Sequence, residues 1–282
     1  MFRLFTGPLA LGCLLILAAC ADKGERAVDE AFADLNVIDE SNLSDVMLTV
    51  ADPSEAVSYF QRATREKPDR IDLQRGLARS LTRARRNAEA VSAWSRVTAM
   101  PGANEQDSVD LADALIRGGD WDRAKSTLNG IAPTFETFQR YRLEAMVADA
   151  NKEWAKADSF YETAVGLTTQ SAGVLNNWGY SKLTRGAYGD AERLFADALR
   201  QDPTLFTAKN NLILARGAQR NYTMPVFPTT QTERAQLLQT LALTAVKQGD
   251  VETGKGLLRE AIATHPQHFE EAVRALRALE AG

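Results

Sequence analysis

The stretch SAGVLNNWGYSKLTRGAYGDAERLFADALRQDP, residues 171–203, is one copy of a pattern that recurs along the chain. With Ala172 as position 1, Trp178 and Gly179 take positions 7 and 8, and Gly186 takes 15. Tyr188, Ala191, Phe195, Ala198 and Pro203 take 17, 20, 24, 27 and 32. Matching units begin at 37, 71, 105, 138 and 172, that is 34, 34, 33 and 34 residues apart. Phase kept over five copies means one supersecondary unit stacked on itself. Each unit reads as two amphipathic helices joined by a tight turn. Small residues at 8, 20 and 27 let the helices approach, and bulky ones at 7, 17 and 24 fill the gaps between hairpins. Glycine at 15 suits a left-handed turn, and Asp-Pro at 31–32 ends the second helix. One such hairpin cannot bury its apolar face alone, whereas a stack can.

These positions resemble the tetratricopeptide (TPR) pattern; Lys182, at position 11 where an aromatic is usual, departs from it. The resemblance implies an all-α, TPR-type helical-hairpin solenoid wound as a right-handed superhelix. The pattern breaks after Phe206, which starts a first helix, FTAKNNLILARGAQRN, with no second helix behind it. YTMPVFPTTQ follows, and two prolines three apart predict an extended segment. The pattern resumes at Ala235, with Ala242, Gly249, Gly254, Leu258, Ala261 and Pro266 at 8, 15, 20, 24, 27 and 32. The expected organisation is a TPR array over 37–217, an irregular proline-containing connector over 218–234, and a final hairpin with a capping helix over 235–282. The connector side chains Tyr222, Met224, Val226 and Phe227 are expected to pack across the flanking helices, with partner contact as the alternative.

Ahead of the array, Arg3 precedes an apolar run that ends at Cys20. The run is short for a bilayer span of about 20 residues and fits the apolar core of an export signal. Leu17-Ala18-Ala19-Cys20 resembles the lipobox of bacterial lipoproteins. That resemblance implies a signal peptide over 1–19, lipidation of Cys20 with palmitate-type acyl chains, and a spacer over 20–36. Several acyl chains anchor a protein stably where one does not. Ala21 lacks the aspartate that retains enterobacterial lipoproteins at the inner membrane, so the expected location is the outer membrane, facing the periplasm.

The remaining composition excludes much. Hydrophobic residues make up 45% and charged residues 25%, a globular balance. A net charge of −4 without a basic tail argues against nucleic acid. Both cysteines, Cys13 and Cys20, lie in the first twenty residues, so neither a disulfide framework nor a cysteine zinc site can form beyond them. The two histidines, His265 and His268, flank a helix boundary and make weak metal evidence. No nucleophile elbow, phosphate loop or dinucleotide fingerprint occurs. The expectation is a binding protein with no catalytic residue, metal, cofactor or small-molecule substrate.

Candidate partner-binding residues come from the register. Arg75, Arg79 and Arg83 occupy positions 5, 9 and 13 of one first helix and share a face. Arg142 holds position 5 two units later, and Asp113 position 9 between them. Pairing of Arg79 with Asp113 on a solvated groove is the plainer expectation; a cradle for an anionic or C-terminal carboxylate group is the sharper one. Asn176 and Asn210, both at position 5, would face the groove with Tyr180 and could pair with a peptide backbone.

Four segments carry a narrower likeness: NVIDESNLSDVMLTVADPSEAVSYFQRA, SFYETAVGLTTQSAGVLNNWGYSKLTRG, LFTAKNNLILARGAQR and THPQHFEEAVRALRALEA. They resemble the TPR lipoproteins of the tight-adherence (Flp/Tad) pilus system of alphaproteobacteria. That resemblance implies a non-enzymatic, pilotin-like factor that helps place or stabilise the outer-membrane secretin of the type IVb pilus, with the secretin or other Tad components as partners. The alternative is a TPR lipoprotein of general envelope biogenesis, serving outer-membrane protein assembly or acting as a protease adaptor.

Overall fold

The computed structural model describes residues 43–281; the lipobox, Cys20 and the start of the first unit at Val37 lie outside the described residues. Among the described residues the secondary structure is helical throughout. Residues 43–49 form α1. Then come α2 (Pro53–Glu66), α3 (Ile71–Arg83), α4 (Asn87–Thr98), α5 (Glu105–Arg117), α6 (Trp121–Asn129), α7 (Phe138–Ala150) and α8 (Trp154–Gly166). The series ends with α9 (Ala172–Thr184), α10 (Tyr188–Gln201), α11 (Phe206–Ala218), α12 (Gln231–Lys247), α13 (Val251–Thr264) and α14 (Glu270–Ala281). The chain divides into two compact units, one ending at Asp107 and the other beginning at Ser108.

Local chemistry fixes the helix ends. Asp52, Asp120, Thr137 and Asp250 each accept a backbone N–H of the first turn of the helix they precede. Thr230 and Glu233 form a reciprocal capping box at the start of α12. That box starts α12 at Gln231, ahead of the first repeat position, Ala235.

The turns that follow α3, α5, α7, α9, α11 and α12 are built the same way. The residue at position 15 has a left-handed backbone: Gly119, Gly186 and Gly249 at φ of 80, 82 and 85°, and also Arg85, Lys152 and Arg220 at 57, 60 and 59°. Its N–H reaches the carbonyl of position 12, and the next N–H reaches position 11. The pairs Gly186 N to Leu183 O at 3.2 Å and Ala187 N to Lys182 O at 2.9 Å show the pattern. This is the Schellman arrangement, which satisfies carbonyls the helix end would leave orphaned. Three of the six turns therefore hold a side chain where glycine costs least.

Packing follows the small positions. Ala56, Ala90, Ala124, Ala157 and Ala191, all at position 20, are fully or almost fully buried. So are the bulky residues at position 24: Phe60, Trp94, Leu128, Tyr161, Phe195 and Leu258. In the unit ending at Asp107, a Cβ on Gly76 would fall 2.2 Å from Phe60 Cε1. In the other unit, a Cβ on Gly179 would fall 2.6 Å from Phe195 Cε1. Each glycine is thus the floor on which an aromatic ring lies.

The sixth repeat is half made. Arg220 completes the usual turn after α11, with Arg220 N to Gly217 O at 2.9 Å and Asn221 N to Arg216 O at 3.0 Å. Pro225 and Pro228 then deny the next stretch a helix. The extended chain lays Tyr222, Met224 and Phe227 against the cores of the flanking helices. Val226 alone of the four points fully into solvent. With no second helix between them, α11 packs directly on α12.

Two stability outcomes follow. Lys152→Gly is expected to raise the unfolding free energy by about 0.5–1 kcal/mol, the left-handed cost of a Cβ less the extra backbone entropy of glycine; a lower urea midpoint would contradict it. Gly179→Val is expected to cost about 1–3 kcal/mol, because the buried Phe195 ring has no space to retreat into. An unchanged urea midpoint would show that the contact yields freely.

Candidate functional site

The unit beginning at Ser108 carries an open groove of about 560 Å³. Its floor and walls come from the first helices of three successive repeats, α7, α9 and α11, with α6 and α8 adding aromatics at one edge. The repeat register explains the alignment. Positions 5 and 6 supply Asn176 and Asn177 on α9, and Asn210 and Asn211 on α11. Position 17 supplies Trp121 and Trp154, and Tyr180 and Phe206 add two further aromatic faces.

The amides form a ladder along this face. Asn211 Nδ2 donates to Asn176 Oδ1 at 3.1 Å, and Thr240 Oγ1 donates to Asn210 Oδ1 at 2.9 Å. Asn177 Nδ2 lies 3.6 Å from the Met146 sulfur. These bonds orient the amides and leave donor and acceptor capacity toward the groove.

One carboxylate sits among them. Asp149 accepts Ser181 Oγ at 2.7 Å on one oxygen and Tyr161 OH at 3.0 Å on the other. Burial pushes its pKa above the ordinary carboxylate value, against the pull of those two bonds and of the Arg185 charge. Burial likewise raises the Tyr161 phenol, with Asp149 adding to the effect. Tyr161 also stacks on Trp178, ring centroids 6.2 Å apart.

The neighbouring carboxylate behaves oppositely. Asp158 accepts Trp178 Nε1 at 2.6 Å, Lys182 Nζ at 3.0 Å and an Arg185 guanidinium nitrogen. Burial alone would raise its pKa, but these donors hold it below the usual range. Here the unusual Lys182 finds its physical reason: it serves Asp158 and stands over the Trp178 ring at 5.9 Å.

Of the sequence-derived candidates, Asn176, Tyr180 and Asn210 line this one groove. Arg142 does not; it faces Asp113 at 3.5 Å, and Asp113 also holds Arg117. Asp113 is thus engaged from α7 and from its own helix. Arg75, Arg79 and Arg83 belong to the unit ending at Asp107. Arg75 makes two bonds of 2.7 Å to the carboxylate of Asp107 and one of 2.9 Å to Gly102 O. Arg83 donates to the carbonyls of Met47, Leu48 and Ala51 at the end of α1. Arg79 is exposed. The guanidinium groups of Arg75 and Arg83 therefore hold the fold itself together. Trp121 and Trp154, expected from the register to fill gaps between hairpins, line the groove; their recurrence at position 17 is the sequence signal for it.

His265 stacks on Phe269, and His268 pairs with Glu270 at 2.8 Å in an exposed turn. Among the described residues no group of three or more histidine, cysteine or acidic side chains is placed to hold a metal. No described helix is long and apolar enough to cross a membrane.

Comparison with known proteins agrees with this geometry. A tetratricopeptide repeat family model matches residues 44–104. The Cut9–Hcn1 hetero-tetramer of the APC/C has a similar fold, with TM-score 0.60 and 15% identity over 84% of this chain and 48% of that one. A tetratricopeptide repeat protein from Parabacteroides merdae gives 0.56 and 14%, covering 85% and 96% of the two chains. The human IFIT1 dimer with m7Gppp-AAAA gives 0.57 and 14%, covering 80% and 58%. The chain thus spans about half the length of the Cut9–Hcn1 chain it matches. No curated protein sequence matches it. The fold is that of TPR-type helical-hairpin proteins.

Asp149 generates a pH dependence. Its folded pKa lies above the unfolded value of about 3.9. Folding therefore favours its protonated form, and stability falls as pH rises from the unfolded value through the folded one. Asp149→Asn keeps an acceptor and removes the charge. Urea midpoints measured across this interval are expected to fall in the parent chain relative to the variant as pH rises; parallel curves would refute the assignment.

Proposed function

We propose that this protein is a lipid-anchored periplasmic TPR scaffold with no enzymatic role. It is held at the inner face of the outer membrane through Cys20, and it binds a protein partner in the groove of α7, α9 and α11. The observation that supports binding is that groove itself: aromatic faces and partly used amides, aligned by the repeat register on successive first helices. Such a surface offers apolar contact and backbone hydrogen bonding together, which is what recognition of an extended chain requires.

The partner and the location rest on sequence. The lipobox-like Leu17-Ala18-Ala19-Cys20 supports the anchor, and the four segments that resemble Tad lipoproteins support a role in assembling or localising the Flp/Tad secretion channel. A spacer of 16 residues from Ala21 to Asn36 would let the array work at most roughly 55 Å from the bilayer.

A clean deletion is expected to abolish surface pili and to leave the secretin mislocalised or degraded. Cys20→Ser is expected to release the protein from membranes and to reproduce that defect in part. Normal piliation in the deletion strain would sink the pilus assignment. A general loss of outer-membrane proteins would point to the broader envelope role instead.

A further inference from the structure

We infer that the groove takes an uncharged, apolar-rich internal stretch of its partner, bound extended, and discriminates against acidic segments and free C-terminal carboxylates. This rests on the reading of the groove as the partner-binding face, and it names the chemistry of what enters.

The lining decides the class. It contains no lysine or arginine. The two nearby arginines are turned to other work: Arg142 faces Asp113 at 3.5 Å, and Arg185 holds Asp158 while lying over the Trp154 ring at 5.6 Å. The carboxylate in the lining, Asp149, has both oxygens engaged, and burial already disfavours its charged form. A second carboxylate entering here would lose water, find no lysine or arginine in the lining to pair with and lie beside Asp149. An unpaired desolvated charge is among the costliest things a site can hold.

The amides set the conformation. Asn176 and Asn210 sit one repeat apart, each with its oxygen already accepting a bond from the scaffold, which leaves the Nδ2 donors for a guest. Asn211, whose Nδ2 is used, offers its oxygen. A helix has spent its own backbone groups internally, so only an extended chain offers carbonyls and N–H groups to such a ladder. The exposed Tyr180 and the indoles of Trp121 and Trp154 then bury the guest's apolar side chains.

The test is a displayed library of random dodecamers panned against the full chain purified in detergent, with Asn176→Ala/Asn210→Ala and Tyr180→Ala as counter-screens. Thermal melts of the variants establish that they are folded. The expected result is enrichment of aromatic and aliphatic residues with depletion of Asp and Glu. Binding should fall at least tenfold in the double variant, and a central apolar residue changed to Asp should weaken a selected peptide at least tenfold. Amidating the C-terminus should change nothing. Variant-sensitive binders that are acidic, or that need a free carboxylate, would overturn this inference while leaving the groove a binding site. The absence of any variant-sensitive binder would overturn the groove as the binding face, and this inference with it.

Discussion

Two helices can lie close only where one of them has almost no side chain, and the whole molecule is organised around that constraint. Phe195 rests on Gly179, and Phe60 on Gly76, at distances a Cβ would forbid. The first contact closes the α9–α10 hairpin, and the second joins α2 to the first helix of the next repeat, α3, so small residues serve packing both within and between hairpins. The alanines at position 20, in these and the other hairpins, are buried for the same reason. Faces that share a register number fall on a common surface. The asparagines of α9 and α11 and the tryptophans that open α6 and α8 line one groove for this reason.

Arginines are engaged by the scaffold in both units. In the unit ending at Asp107, Arg75 and Arg83 are held by Asp107, Gly102 and the carbonyls that end α1. Arg142 faces Asp113, and Arg185 with Lys182 serves Asp158. Partly buried guanidinium groups need counter-charges, and the scaffold supplies a carboxylate to each of Arg142 and Arg185, although their Nε atoms are buried without a hydrogen-bond partner. The amides and hydroxyls bond among themselves, with Asp149 as the charge-bearing exception.

The half-made sixth repeat shows how far the pattern tolerates loss. Arg220 still adopts the left-handed turn, so α11 ends as the other first helices do. Two prolines then replace a helix with an extended strip that covers the cores through Tyr222, Met224 and Phe227. The thermodynamic requirement is burial of the apolar faces of α11 and α12, and the ten-residue strip, 221–230, contributes to it where α10 uses a 14-residue helix.

Much of this was legible in the amino-acid sequence. The period, the hairpins, the small and bulky positions and the broken repeat follow from apolar spacing and from where glycine and proline fall, because these act within a turn or two of the chain. Placing Asn176, Tyr180 and Asn210 on one face needed only the register. Other features were decided by tertiary structure. Arg85, Lys152 and Arg220 take a left-handed conformation that their identities disfavour, because the hairpin on either side imposes it. Arg75 reaches Asp107 across 32 positions, Asn211 reaches Asn176 across 35, and Ser181 reaches Asp149 across 32. No local pattern records such partners: a side chain's availability for binding depends on which acceptors the packed neighbours bring to it. The sequence by itself determined where a groove would run, and the packing of one repeat on the next decided that it would be aromatic, amide-lined and nearly free of charge.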